Sequence, residues 1–279
     1  MNGKGKGNMK SFLIVGVVVL TVVTALAVCI SSENVSAMEI KMYTLQSSIG
    51  INSYEFSIDM IMTTGTDSSP VSMSTTANGA VDVVNHRFVM EMSSEFSTLM
   101  EMDFLYYIVD DAIFMKMDYL GSEQWIKMDF SEFNVSWDSY DQMQMQVDLL
   151  EYGEVERLND EIINNEDCYV LKILPDVDKL YEIMMNQQGL STGVLQGSYL
   201  SDIIKDFSIK LWISKETNFI MKAYEYVAME MTMHEYTTSM TTEITIQFTN
   251  YNTAISIELP EDAENATSYL DIFSTISPA

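Results

Sequence analysis

An α+β protein built on one large antiparallel sheet is the fold this sequence predicts. Three observations carry that prediction. Many short runs alternate apolar and polar residues with period two, turn-forming clusters separate the runs, and helical stripes are too few to alternate with strands as a parallel sheet requires. The stretch "YEFSIDMIMTTG" shows the first observation. Tyr54, Phe56, Ile58, Met60 and Met62 share one face, and Glu55, Ser57 and Asp59 share the other.

Before that strand, Met38, Met42, Leu45 and Ile49 recur at helical spacing and predict a short amphipathic helix. Further strands follow at Phe88-Met90-Met92, Met100-Met102-Phe104, Met115-Met117, Phe207-Ile209-Leu211-Ile213, Met229-Met231-Met233, Ile244-Ile246-Phe248 and Ile255-Ile257-Leu259. The segments 84–87, Asp110-Asp111, 163–167 and 214–218 are read as hairpin turns. Tyr140, Met143, Val147 and Leu150 form a second helical stripe, with Asp138 or Ser139 placed to cap it. Val177, Leu180 and Met184 form a third. The small, polar stretch Gly189 to Ser201 predicts a mobile loop. No proline-rich linker divides the chain, so residues 38–279 are expected to form a single domain.

Residues 1–37 read as a signal sequence or an N-terminal membrane anchor. Lys4, Lys6 and Lys10 precede an uncharged apolar run from Phe12 to Ile30. The lysines favour the cytoplasmic side, which sends the remainder out of the cytoplasm, either secreted or held at the cell envelope. Small residues at Val35 to Ala37 suit signal peptidase. Cys29 sits in "LAVC", which resembles a lipoprotein box with Val28 where such boxes carry a small residue. Asn34, Asn134 and Asn265 each open an N-x-S/T triplet and are candidate glycan acceptors on an exported chain.

The charge balance excludes one class of partner. With 41 acidic residues against 14 basic ones, the net charge is −27. Such a surface repels phosphate backbones, so no nucleic-acid partner is expected. Catalysis is not expected either. The chain has two histidines, His86 and His234, and no HExxH, GxSxG or phosphate-loop pattern. No cofactor is implied. Cys168, in "EDCYVLKIL", reads as a small buried hydrophobe.

The 23 methionines are the unusual feature. Met-x-Met recurs at Met60/Met62, Met90/Met92, Met100/Met102, Met115/Met117, Met143/Met145 and Met229/Met231/Met233. On a strand this puts both thioethers on one face, about 6.5–7 Å apart at Cα. Soft thioethers suit Cu(I), and they equally suit an adaptable apolar wall. The polar residues between them, and the lack of a dense Met-x-x-M cluster with histidine, favour the wall, and no metal site is assigned. A third reading, Cu(I) binding through these pairs, stays open.

The order of motifs adds a family resemblance. "SYEFSIDM", "NGAVDVVNHRFVMEM", "YYIVDDAIFMKM", "QWIKMD", "NNEDCYVLKILPD", "DFSIKLWISKETNFIMKAY", "ITIQFTNYN" and "ELPEDAENA" follow one another over most of residues 38–266. Together they resemble the lipoprotein-carrier superfamily, the LolA-like proteins and their LppX/LprG-type lipid-binding relatives. The resemblance implies a curved, incomplete antiparallel β-barrel of about 10–12 strands with a few helices plugging the concave side. It also implies an apolar cavity for a lipid or acyl chain. On that basis the expected lining is Tyr54, Phe56, Ile58, Met60, Met62, Phe88, Met90, Met92, Met100, Met102, Phe207, Ile209, Leu211, Ile213, Met229 and Met231. Soluble carriers of the family tie sheet to lid through an arginine, and only Arg87 and Arg157 exist here. The expected function is therefore an exported, membrane-associated lipid-binding or lipid/lipoprotein-carrier-like protein. Its alternative is an extracytoplasmic sensor or interaction module whose barrel fills itself.

Overall fold

The structure is a computed structural model. It describes residues 35–66, 69–96, 100–119, 122–133, 137, 140–174, 203–233 and 236–271. Cys29, Asn34, Asn134, the expected helix over 177–184 and the loop 189–201 lie outside the described residues. Contacts divide the chain into Met1–Ser36 and Ala37–Ala279.

Among the described residues thirteen strands form one sheet. In chain order they are β1 (Ser53–Thr66), β2 (Ser69–Asp82), β3 (Arg87–Phe96), β4 (Met100–Val109), β5 (Ala112–Tyr119), β6 (Ser122–Asp129), β7 (Glu154–Arg157), β8 (Glu161–Ile163), β9 (Glu166–Leu174), β10 (Ile204–Ser214), β11 (Ile220–Met233), β12 (Tyr236–Thr249) and β13 (Thr267–Ser268). The spatial order is β13-β6-β5-β4-β3-β2-β1-β12-β11-β10-β9-β7, and β8 pairs with β9. Every pairing is antiparallel except β13 with β6. Tight turns sit where the sequence places them. Asp110, Asp111, Asn164 and Asn165 adopt positive φ, which Asn and Asp tolerate and two-residue hairpins require.

The expected curled, incomplete barrel does not form. The sheet is open, and its terminal strands β13 and β7 do not pair with each other. Strong curling needs bulges or glycine kinks that bend the strands. Here β1 and β2 pair through fourteen consecutive positions without a shift, and β11 and β12 pair without a shift from Lys222 to Met233. Register shifts occur between β10 and β11, at Ile204/Asp206 and Trp212/Ile213. The edge strands are also short, with four residues in β7 and two in β13.

Helices α1 (Ala37–Ser48), α2 (Phe130–Phe133) and α3 (Gln142–Tyr152) accompany the sheet. α3 is capped by Asp141, whose carboxyl accepts from the backbone N–H groups of Met143 and Gln144. The expected cap at Asp138 or Ser139 is thus moved along the chain to a side chain with free reach to both donors. Tyr54 on β1 completes the cap. Its hydroxyl donates to Asp141 Oδ1 at 2.6 Å and accepts from Met143 N at 3.0 Å. Met143, Gln146, Val147 and Leu150 then point into the structure at helical spacing.

α1 turns the opposite side from that expected. Ile40 and Thr44 are buried, whereas Met38, Met42 and Ile49 are 58%, 62% and 85% exposed. The cause is a distant anchor. Lys41 Nζ donates to the carbonyls of Glu151 (2.9 Å) and Gly153 (2.8 Å), at the end of α3 where orphan carbonyls attract a cation. No helix among the described residues is long and apolar enough to cross a membrane. That corrects the expected transmembrane anchor. The apolar run on which it rested lies outside the described residues.

On the opposite face, the segment after β12 crosses β3 to β6. Ala263, in the 3-10 helix Glu261–Asn265, packs with Ala112, Phe114 and Trp125, and Leu259 and Ala266 adjoin them. Arg87 Nη1 donates to Ile257 O at 2.8 Å and holds this segment down.

Removing the Tyr54 hydroxyl tests the cap. Tyr54→Phe is expected to cost about 1.5–3 kcal/mol, the range for a hydrogen bond to a carboxylate, as a lower urea midpoint with an unchanged slope.

Candidate functional site

The sheet face that carries α3 is built from side chains in one phase, brought side by side by register. Across the middle run Leu171, Leu211, Ala223, Ile246, Ile58, Ala77, Met92 and Phe104, from β9 to β4. The neighbouring row runs Ile173, Ile209, Glu225, Ile244, Met60, Thr75, Ser94 and Met102. Beyond it, Met62 faces Met73, and Met229 faces Met240.

Burial divides the expected lining into two groups. Tyr54, Phe56, Phe88, Ile209, Leu211 and Ile213 are buried in the closed core. Tyr54 meets Phe248 edge-on at 5.8 Å, and Phe56 stacks on Phe88 at 5.7 Å. By contrast, Ile58, Met60, Met62, Met90, Met92, Phe207 and Met229 remain half-buried, and Met102 is exposed. Met100 and Met231 occupy β4 and β11. Lengths explain the division. β1, β2, β11 and β12 have fourteen residues each, about 46 Å of extended chain. α3 has eleven residues, about 17 Å of helix. It therefore covers the Tyr54 end and leaves the methionine end without a described helix over it.

Glu225 and Gln146 are the residues that sequence reading missed. Glu225 lies in the apolar phase of β11, between Ala223 and Val227, and accepts from Gln146 Nε2 at 2.7 Å. Burial raises its carboxyl above the ordinary carboxylate range, and the Gln146 hydrogen bond opposes that rise. Its signal was present in "AYEYVAMEM", where a charged residue falls in phase with Ala223, Val227 and Met229.

The other chemistry-bearing groups are structural. Cys168 is buried beside Val170 and Trp212, and burial pushes its thiol up to about 11. Arg157 pairs with Asp160 at 2.9 Å and lies over Tyr169. Asn265 is exposed at the end of the 3-10 helix. A cleft of about 470 Å³ opens on the polar face, among Thr76, Asn78, Glu91, Ser93, Asp103 and Lys116. No group of three His, Cys, Asp or Glu residues among the described residues could hold a metal ion.

Among the described residues, an open antiparallel sheet carries α3 over the Tyr54 end of its apolar face. The chain belongs to the family of unknown function DUF6612, whose model matches residues 36–268. Among curated proteins no sequence matches it. Solved structures resemble it distantly. Lipoprotein LppX of Mycobacterium tuberculosis is 10% identical, with 78% of this chain and 96% of that one covered, at a TM-score of 0.41. LprF from Mycobacterium bovis is 10% identical over 80% and 96%, at 0.46. A putative outer membrane lipoprotein-sorting protein domain from Vibrio parahaemolyticus is 14% identical over 79% and 95%, at 0.25. At these identities and scores the likenesses transfer no function.

Two outcomes follow for solution behaviour. In a Cys29→Ser background, Cys168 is expected to resist a thiol reagent at about pH 8 until the protein unfolds, because so little thiolate exists in the fold. The second concerns Glu225. Folding favours its protonated form, so its contribution is most favourable below the ordinary value of 4.5 and is lost as pH rises through the raised folded value. Glu225→Gln should therefore lose less stability than the parent between about pH 4 and pH 8, read by urea unfolding at each pH.

Proposed function

We propose that this chain is an extracytoplasmic lipid-binding protein, with the methionine end of the sheet, beyond the described helices, as its binding wall. The observation that carries the reading is the run of half-buried apolar side chains beyond α3. Ile58, Met60 and Met62 on β1 stand beside Ile244 on β12, and Met90 and Met92 follow on β3. A contiguous apolar stretch in a protein so acidic supports reading it as an interaction site. Burial of acyl chain against it supplies about 25 cal/mol per Å² before ordering costs. Methionine suits such a wall, because its unbranched thioether repacks around chains of different shape. The role is binding and not catalysis. Residues 38–279 act in this reading as one domain, exported by way of the segment before it.

The open sheet favours a second reading. A face that does not curl around a ligand also offers a platform to a protein, as in an envelope interaction module.

Native mass spectrometry of the full chain from its source membranes, with organic extraction, separates the two. A stoichiometric lipid that leaves on denaturation supports lipid binding. A chain that carries none and takes up none when lipid is added supports the interaction module. Met60→Glu places a charge in the wall and is expected to abolish lipid loading while the far-ultraviolet circular dichroism is retained. Normal loading in that variant would sink the proposal.

A further inference from the structure

A carboxyl group stands inside the apolar wall, and the groups around it do not complete its hydrogen bonding. Glu225 faces Ile209 on β10 and Ile244 on β12, and Ala223 and Val227 flank it in the same phase of β11. A charge among four apolar neighbours is costly unless it is paired. Its described partner is the Gln146 amide, which donates through Nε2 at 2.7 Å. Gln146 is itself 0% exposed, and its Oε1 receives no hydrogen bond from the described residues. Such an orphan acceptor is rare inside a fold and calls for an explanation.

The chemistry of the pair is one-sided. When ionised, the carboxyl only accepts, so the Gln146 NH₂ faces it and the amide oxygen is left over as a second acceptor. Glu225 keeps partial exposure. Met60, opposite Ile244, begins the methionine stretch one strand beyond the Glu225 neighbour. An apolar chain lying on Ile244, Met60 and Met62 would place its polar end beside these acceptors. A donor there recovers solvation that both oxygens lost on folding. An anionic head would meet the Glu225 charge, and a head without N–H or O–H would leave the acceptors empty. A site built to hydrogen-bond a donor rejects the analogue that lacks it far more strongly than an apolar pocket rejects a change of size.

We propose that Glu225 and Gln146 anchor the polar end of the bound lipid, as an acceptor pair for a hydrogen-bond-donating head, an ammonium or a hydroxyl. This rests on the lipid-binding reading and adds to it a class of cargo: neutral or cationic donor-headed amphiphiles in preference to fatty acids and to capped heads.

Three probes of equal chain length test it by titration calorimetry on the full chain: dodecan-1-amine, dodecan-1-ol and dodecyl methyl ether. At least one donor-headed probe is expected to bind about tenfold tighter than the ether or better. The amine leading the alcohol identifies an ammonium site, and parity identifies a hydroxyl site. In Gln146→Leu/Glu225→Leu, which replaces both partners with apolar groups of similar size, the preference should vanish while ether binding persists. Should that variant not fold, Glu225→Gln keeps the shape and removes the charge, and should lower amine affinity about tenfold relative to the ether. Equal binding of all three probes by the parent overturns the anchor and leaves the lipid wall standing. Preference unchanged in the variants also overturns the anchor. Binding of none of the three, ether included, overturns the wall and the anchor together.

Discussion

The hydrogen bond from the Tyr54 hydroxyl to Asp141 fixes the relation between helix and sheet. A helix N-terminus has orphan N–H groups, and Asp141 satisfies two of them. Because the same carboxyl receives Tyr54 from the start of β1, the capping group and the sheet are joined at one atom. The helix can then run in only one place. Its buried side meets the wall, Gln146 arrives at Glu225, and its far end delivers the carbonyls that hold Lys41. α1 is oriented in turn by that last contact. One hydroxyl thus positions two helices and the polar pair between them.

The same placement leaves the wall uneven. Near Tyr54, aromatic rings and aliphatic side chains close on themselves, and the interior is a core in the ordinary sense. Away from it the strands continue while α3 stops. There Met60, Met62, Met92 and Met229 share the face with Thr75, Ser94, Phe104 and Phe207. Such a gradient lets one part of a sheet supply stability while another keeps an adaptable surface.

How much of this was legible in the sequence depended on distance along the chain. Strand phase is a local property, and Tyr54 to Met62 show it without help. The turns at Asp110-Asp111 and Asn164-Asn165 are local too, since two adjacent residues carry the positive φ. The side of α1 was misread because Met38, Met42 and Ile49 look like the buried stripe, whereas Lys41 reaches carbonyls more than a hundred residues away. Openness of the sheet was hidden for a related reason. Curling is set by bulges and by how the last strands meet, and neither is written in an alternation pattern. Glu225 lies between these cases. Its place in the apolar phase was readable, but its partner Gln146 comes from another element, 79 positions earlier.

The central position of β1 has a consequence for how the chain reaches this state. β1 pairs with β2, its immediate successor, but its other edge waits for β12, where Glu55 meets Thr249 and Gly65 meets Ser239. Nearly the whole domain must therefore emerge before the first strand loses its free edge. Topologies dominated by such distant pairings fold slowly, because loop closure is paid for before the contacts that reward it. Until then β1 offers unpaired backbone next to Met60 and Met62, a template for pairing with another chain. Charged and polar residues on the opposite phase, Glu55 and Asp59 among them, are what the nascent strand has to keep strangers away while its last neighbour is still being made.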